Sequence, residues 1–238
     1  MASASKNHTR RLDQTWNCEH VPIMLEKLRS FYRMVKLYPA LMLVRRSPAR
    51  SLIEAEIDRW MLMIYQQKPG ERLASKLRAL MYGVNIEEFR TLLYFRLGEP
   101  SGLCDRILLF FATRFLPPLE TLLITPPTVV GDGLIIMHGH GTYVDAETIG
   151  RNCLIFQDVA IGPKHEEGER PTIGNYVHIS SGAKMLGGIT VGDHCVIAAN
   201  AVVVKDMPPN SLAVGVPARI LRGAGNKAEY IARGDVSE

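Results

Sequence analysis

Two histidines, His138 and His140, stand two residues apart in the segment MHGHG. An unperturbed imidazole titrates near about 6.5, so at neutral pH its free ring nitrogen can accept the proton of an attacking hydroxyl. A histidine at the edge of a folded domain is also commonly an ordinary polar surface residue. The pair therefore indicates a candidate general base and leaves the structural interpretation open.

The elements that must position these residues follow from a repeat. A large apolar side chain, or once a tyrosine, returns at nearly every sixth position, at Ile124, Val130, Ile136, Tyr143, Ile149, Ile155, Ile161, Ile173, Ile179, Met185, Val191, Ile197 and Val203. A period of six fits neither a helix nor a simple strand. It predicts a parallel β-helix built from hexapeptide repeats.

Two further columns support this prediction. Glycine follows the apolar residue where a sharp corner would exclude a side chain, at Gly131, Gly150, Gly162, Gly174 and Gly192. Small or thin residues fill the fifth position, at Thr128, Cys153, Val159, Val177, Ala183, Cys195 and Ala201. This column is predicted to point into a narrow prism, so its two cysteines are interpreted as core residues and not as nucleophiles.

The repeat has two irregularities. Ile161 and Ile173 lie twelve residues apart around PKHEEGERP, so a loop carrying Arg170 is predicted to leave the coil there. A loop of this kind can close over a bound ligand. A surface insertion without a function would explain the extra residues equally well. The period also stretches to seven between Ile136 and Tyr143, where the two histidines lie.

The part before the repeat is predicted to be helical. Ser47-Pro48 is an N-cap and first-turn signal for a helix with apolar residues at Ile53, Ile57, Met61 and Ile64. Further helices are predicted from Val21 to Val44, with an end or kink at Pro39, from Leu73 to Met81, and from Ile86 to Leu97, closed by Gly98.

The predicted class is therefore α+β. Residues 1–122 are predicted to form an α-helical domain, residues 123–222 the β-helix, and residues 223–238 a flexible tail.

Composition narrows the classes of function. The first twenty residues lack the apolar run of a secretory signal, which predicts a cytoplasmic protein. The apolar stretch from Ile107 to Ile124 contains Arg114, Pro117, Pro118 and Glu120, so no transmembrane segment is expected. The net charge of +4 is modest and its basic clusters are not interleaved with aromatic residues, so nucleic acid is not an expected partner.

Several motifs together resemble a known family. The blocks GLIIMHGHG, IFQDVAIG, SSGAKMLGGITVG and GVPAR resemble the hexapeptide-repeat acyltransferases, in the serine acetyltransferase-like branch. The preceding EEFRTLLYFRLG is similar to the helical lead-in of members from polysaccharide gene clusters. The resemblance implies a left-handed β-helix, a homotrimer or a dimer of trimers, and acetyl-CoA bound in the groove between subunits.

The resemblance also implies roles for individual residues. His138 matches the catalytic histidine, which would activate an acceptor hydroxyl for direct attack on the thioester. His140, Asp145, Gln157 and Arg170 are candidates for binding the acceptor, although His140 could instead shape the corner and Gln157 could be a solvated amide. Asp145, Glu147 or a backbone carbonyl, from the same or a neighbouring subunit, is a candidate for orienting His138.

Five positions are candidates for binding the cosubstrate. Ser181 and Ala199 are small enough for extended pantetheine to pass, and Lys205, Arg219 and Arg222 could bind its phosphates.

No metal is expected. A β-helix carbonic anhydrase would present three histidines to a metal, two of them closely spaced, and His165, His178 and His194 include no such pair.

Three departures from the serine-specific pattern bear on the acceptor. Leu123 and Met137 stand where the branch carries aspartates, and Pro171 replaces the histidine of an Arg-His pair. Since the ammonium group of serine needs a carboxylate partner when it leaves water, these changes favour a sugar hydroxyl as acceptor. Serine O-acetylation and a non-catalytic β-helix platform are the two alternatives.

Overall fold

The computed structural model describes residues 23–65 and 83–225. The chain divides into two compact units, residues 1–35 and residues 36–238. Every helix and strand described below lies in the second unit, except for the first part of the helix Ile23–Arg46, which lies in the first unit. The helix predicted from Leu73 to Met81 lies outside the described residues.

The helices come first along the chain. They are α1 (Ile23–Arg46), α2 (Arg50–Tyr65), α3 (Glu87–Leu97) and α4 (Leu103–Phe115). None of the helices in the described ranges has the length and apolarity needed to cross a membrane.

The helix boundaries follow local sequence signals, with one exception. The Ser47 hydroxyl accepts a hydrogen bond from the Ala49 amide at 3.1 Å, ahead of α2 as predicted. Gly98 ends α3 with φ 63° and donates to the carbonyls of Tyr94 and Phe95. Of the end or kink predicted at Pro39, the end does not occur, because an interior proline removes a hydrogen bond without preventing the helix from continuing to Arg46.

Short strands form the rest of the fold in three sheets. The first sheet contains β1 (Leu122–Ile124), β4 (Thr142–Val144), β7 (Ala160–Gly162), β10 (Lys184–Leu186) and β13 (Val202–Val203). The second contains β2 (Val129–Val130), β5 (Thr148–Ile149), β8 (Thr172–Ile173) and β11 (Thr190–Val191). The third contains β3 (Ile135–Ile136), β6 (Leu154–Ile155), β9 (His178–Ile179), β12 (Val196–Ile197), β14 (Leu212–Val214) and β15 (Arg219–Leu221).

The chain visits the three sheets in turn, and each strand pairs in parallel with the strand one coil later. Only β15, among the strands of the described residues, pairs antiparallel, with β14. The predicted parallel β-helix is confirmed.

The inward column of large apolar residues is confirmed except at one position. Tyr143 is 41% exposed, whereas Val144 is completely buried and in register with Ile124 and Ile161. The prediction that Tyr143 points inward is therefore wrong. The coil accommodates extra residues before β4, and this shifts the inward position to Val144.

The small fifth column lies inside the prism as predicted. Its members from Cys153 to Ala201 are all 0–1% exposed. At Gly150 an added Cβ would lie 2.5 Å from the carbonyl carbon of Gly174, so coil stacking excludes a side chain. At Gly162 a Cβ would fit, because its nearest neighbour, Tyr143 Cε1, would lie 3.6 Å away.

Helix α2 covers the first end of the β-helix. The Trp60 indole donates to the Leu134 carbonyl at 2.9 Å, and Arg59 donates to the carbonyls of Gly133 and, at 2.9 Å, Asn152. Trp60 also packs edge-on against Phe89 of α3, with ring centroids 5.5 Å apart. Trp60 thus supplies the donor for the Leu134 carbonyl, whose counterpart in the next coil, the Cys153 carbonyl, accepts from the Ile135 amide of the coil before it.

A buried ion pair links α2 and α3 at the same end. Arg96 Nη2 lies 2.6 Å from Glu56 Oε1, and the two side chains are 6% and 1% exposed. The same guanidinium donates to the carbonyls of Val130 and Gly131 at 2.5 and 2.6 Å. Burial raises the pKa of Glu56, and the hydrogen bond and charge of Arg96 lower it only in part.

Candidate active site

The two histidines lie in the corner that joins β3 to β4, residues 137–141, here called the histidine corner. The equivalent corner of the next coil lies between β6 and β7 and begins at Phe156. The Met137 amide donates to the Ile155 carbonyl at 2.8 Å, just as the Phe156 amide donates to the Ile179 carbonyl. Met137 and Phe156 therefore occupy the same place in successive coils.

The next regular residue of the histidine corner is His140. The Asp158 amide donates to the His140 carbonyl at 2.9 Å, as the Gly182 amide donates to the Gln157 carbonyl one coil on. His140 thus aligns with Gln157. The two residues between Met137 and His140, His138 and Gly139, are an insertion into the coil.

The insertion places His138 in a left-handed backbone conformation, as at several other coil corners of the described residues. Its φ is 54°, in the left-handed region, and its carbonyl accepts a hydrogen bond from the His140 amide at 2.6 Å. Its side chain is exposed, and among the described residues none hydrogen-bonds to its imidazole. The stretched period at this place thus corresponds to an excursion that presents His138 at the edge of the solenoid.

The His140 ring is held differently. Its Nδ1 lies 3.1 Å from the Thr121 hydroxyl, in the segment that leads into β1. The sequence did not predict a role for Thr121, because it lies 19 positions from His140 and belongs to no motif.

Four of the predicted site residues align along one edge of the β-helix. The same corner position in successive coils is occupied by His140, Gln157, Ser181 and Ala199. The amide that follows each of the last three, in Asp158, Gly182 and Asn200, donates to the carbonyl of the corner residue one coil earlier. Gln157 Oε1 is buried and has no hydrogen-bond partner among the described residues. The edge thus offers an acceptor atom near the histidines and small residues further along.

Asp145 and Arg170 come together at a different edge. Asp145 Oδ1 lies 2.6 Å from Arg170 Nε and accepts a hydrogen bond from the Thr125 hydroxyl at 3.0 Å. Arg170 belongs to the loop between β7 and β8, so this ion pair ties the loop to the coil that carries His138. The three-residue strand β4 separates this pair from the histidine corner, which is a span of roughly 10 Å.

The cationic candidates are also separated. Arg219 lies in β15 opposite Val214, near the end of the edge that carries Ser181 and Ala199. Arg222 follows in the same segment and is exposed. Lys205 is exposed at another corner, between β13 and the bridge residue Met207.

Sequence reasoning also missed Glu88 in the first turn of α3. Its Oε1 accepts a hydrogen bond from the Gly139 amide at 3.2 Å. The two residues are 51 positions apart, so no motif joins them.

The buried cysteines do not contribute to the site. Cys153 is completely buried, and burial raises the pKa of its thiol to about 11; burial also raises the pKa of Cys195. Within the described ranges no three His, Cys, Asp or Glu side chains converge as a metal site requires.

Thiol labelling tests this assignment. At pH 8 a thiol with a pKa of about 11 is ionised in only about one molecule in a thousand, so iodoacetamide is expected to label exposed Cys104 and spare Cys153 and Cys195. Peptide mapping by mass spectrometry reads each site, and denatured protein is the control in which all four cysteines of the chain, including Cys18, react. Labelling of native Cys153 as fast as Cys104 would contradict the prediction.

Comparisons with known proteins agree with the architecture. Residues 170–205 match the family of bacterial transferase hexapeptide repeats. A serine acetyltransferase of Helicobacter pylori strain J99 is 35% identical over 167 residues, which cover 66% of this chain and 92% of that protein. One from Synechococcus elongatus is 32% identical over 146 residues, which cover 56% of this chain and 60% of that protein, less than two thirds of it.

A solved structure shares the fold. The crystal structure of serine acetyltransferase from Brucella abortus strain S19 in complex with coenzyme A aligns with a TM-score of 0.54 at 25% identity, over 76% of this chain and 71% of that one.

These relatives correct one prediction. A sugar hydroxyl as acceptor is wrong, since the related proteins are serine acetyltransferases and none supports the polysaccharide resemblance. The prediction rested on the absence of carboxylates at positions 123 and 137. Leu123 and Met137 do lack a carboxylate, but they are not the only positions near His138, because Glu88 of helix α3 accepts a hydrogen bond from the amide of the adjacent Gly139.

Proposed function

Because the chain belongs to the serine acetyltransferase family of hexapeptide-repeat transferases, we propose that it transfers the acetyl group of acetyl-CoA to the hydroxyl of serine. The observation that carries this proposal is the 35% identity to the Helicobacter pylori enzyme over 92% of that enzyme's length. The exposed histidine at the start of an edge lined by small residues supports it.

His138 is the general base of this reaction. Its ring nitrogen accepts the proton of the serine hydroxyl while the oxygen attacks the thioester carbonyl carbon. When the tetrahedral intermediate collapses, the carbon–sulfur bond breaks and the imidazolium returns the proton to the departing thiolate. Backbone N–H groups at the coil corners are suitable donors for the transient oxyanion.

The remaining edge residues bind the two substrates. Gln157 Oε1, which is buried and has no hydrogen-bond partner in the part of the chain that the structure describes, is suited to accept a hydrogen bond from the serine ammonium group. The His140 side chain forms part of the histidine corner, next to Gln157. Ser181 and Ala199 leave room for pantetheine, and Arg219, Arg222 and Lys205 are the candidates for its phosphates.

Arg170 is the cation proposed for the serine carboxylate. Because β4 separates it from the histidine corner by roughly 10 Å within one chain, the Arg170 and the His138 that meet one serine belong to neighbouring copies. Asp145 engages Nε, and no hydrogen bond from the two Nη groups is seen within residues 23–65 and 83–225, so that edge of the guanidinium is suited to a carboxylate. Asp145 fixes the orientation of that guanidinium.

The active form is a homotrimer in which neighbouring copies close the acetyl-CoA groove. Helix α4 supports this assembly, because it exposes the apolar side chains of Leu103, Ile107, Phe110 and Phe111, which are 44–74% exposed in the single chain.

A thiol-release assay tests the function. With acetyl-CoA, L-serine is expected to give steady release of coenzyme A and a product of the mass of O-acetylserine. L-alanine, which has the same ammonium and carboxylate groups without the hydroxyl, is the matched control and should give none. Equal release with serine and alanine would contradict the proposal, as would the absence of acetyl-CoA binding by calorimetry.

A further inference from the structure

The backbone of the histidine corner depends on a side chain from outside the β-helix. In the regular corners, amides such as those of Phe156 and Gly182 donate to carbonyls of an adjacent coil. The inserted Gly139 amide instead donates to Glu88 Oε1 at 3.2 Å. A helix residue thus supplies the acceptor at the point where the coil departs from its regular path.

Packing holds the same residue from the other side. Gly139 is buried, and an added Cβ would lie 2.9 Å from Ile136 Cγ2, 3.1 Å from Leu122 Cδ2 and 3.2 Å from Glu88 Cγ. The peptide unit after His138 is therefore enclosed between the coil and α3.

Helix α3 is itself firmly anchored, so the carboxylate has a fixed origin. Arg90 Nε donates to the Pro117 carbonyl at 2.7 Å, and the Tyr94 hydroxyl donates to the Leu116 carbonyl at 2.8 Å. Arg96 ties the last turn of the helix to the first coil. Glu88 extends from the first turn of this anchored helix.

We propose that Glu88 is a positioning residue for His138: its carboxylate holds the Gly139 amide and so keeps His138 in the left-handed conformation that presents the imidazole. The functional part of this inference rests on the proposed role of His138 as base. A non-glycine residue at φ 54° persists only where its surroundings fix it, and a hydrogen bond to an ionised carboxylate is stronger than one between neutral groups.

Two substitutions and a control test the proposal in the full chain. Glu88→Ala removes the acceptor, and kcat is expected to fall about 10- to 100-fold with the KM for acetyl-CoA within about twofold, because a displaced catalytic group costs rate and not cosubstrate binding. Glu88→Gln keeps a carbonyl acceptor and should restore kcat to within about threefold of the native value. Glu87→Ala removes a neighbouring carboxylate that is 56% exposed and pairs with Arg90 Nη2 at 3.1 Å. The bond from Arg90 Nε to the Pro117 carbonyl remains, so kcat should be unchanged.

Hydrogen–deuterium exchange supplies a readout that does not need turnover. The amides of a peptide spanning residues 137–142 are expected to exchange faster in Glu88→Ala than in the native protein, Glu88→Gln or Glu87→Ala. Equal exchange in all four proteins would overturn the proposal, as would a Glu88→Gln variant as slow as Glu88→Ala.

The two proposals fail in distinguishable ways. If the native protein does not acetylate serine but Glu88→Ala still loosens the histidine corner, the proposed acceptor is wrong and the positioning contact stands. If serine is acetylated and Glu88→Ala is as active as the native protein, the acceptor stands and the positioning role is overturned.

Discussion

Replacing His138 with alanine is expected to lower kcat for serine acetylation by about 10²- to 10⁴-fold, which is the usual contribution of a general base. Binding of acetyl-CoA should change little, because the small residues and cations assigned to the cosubstrate lie further along the edge. Steady-state kinetics measure the first effect and calorimetry measures the second. A His138→Ala variant within a few-fold of the native rate would remove His138 from the mechanism.

The backbone conformation of His138 calls for a second variant. Asparagine tolerates the left-handed region well, so His138→Asn preserves the corner while removing the base. It should be as slow as His138→Ala. A fast His138→Asn variant would mean that the alanine effect came from the backbone.

His194 offers a matched control at another corner. It has nearly the same φ, 56°, and stacks on Tyr176 with ring centroids 4.9 Å apart, outside the proposed site. His194→Asn is therefore expected to keep native activity, which separates the chemistry of His138 from the general cost of changing a corner histidine.

The second large effect is expected for Arg96→Met, which should lower the free energy of unfolding by about 3–5 kcal/mol. The substitution leaves the Glu56 carboxylate buried without its cation, and it leaves the carbonyls of Val130 and Gly131 without donors. Thermal unfolding at fixed protein concentration measures the effect, at roughly 2–4 °C per kcal/mol for a chain of this size.

The control for Arg96 is a surface ion pair. Arg50 and Glu54 lie 2.7 Å apart but are 51% and 33% exposed, so Arg50→Met should cost less than about 1 kcal/mol. Adding Glu56→Gln to Arg96→Met should recover part of the loss, because the uncompensated charge is removed. Equal stabilities of the Arg96 and Arg50 variants would contradict the importance of the buried pair.

The loss in Arg96→Met should also depend on pH. Burial holds the pKa of Glu56 above its ordinary value in the folded state, and removing Arg96 removes an influence that lowers it. A carboxyl group whose folded pKa exceeds its unfolded pKa stabilises the fold most at pH below the unfolded value, and that stability is lost as pH rises through the folded pKa. The free energy of unfolding that Arg96→Met loses relative to the native protein is therefore expected to become smaller as the pH is lowered from neutrality towards the ordinary pKa of a glutamate.

The sequence by itself determined the β-helix, because which side chains point inward depends on position within a six-residue coil and is visible as a period. It likewise determined the start of α2 at the Ser47 cap, the loop that carries Arg170, and the irregular corner of His138 and His140. Each of these features depends on residues close together in the chain.

Only the tertiary structure decided which residues meet. It placed Val144 and not Tyr143 inside the prism, identified His138 and Gly139 as the insertion, and brought Glu88 to the Gly139 amide across 51 positions. The acceptor was mispredicted because it was judged from two positions alone, Leu123 and Met137, and the similarity to serine acetyltransferases overturned it. Stacking of coils and docking of helices bring distant residues into contact, and no local pattern records those contacts.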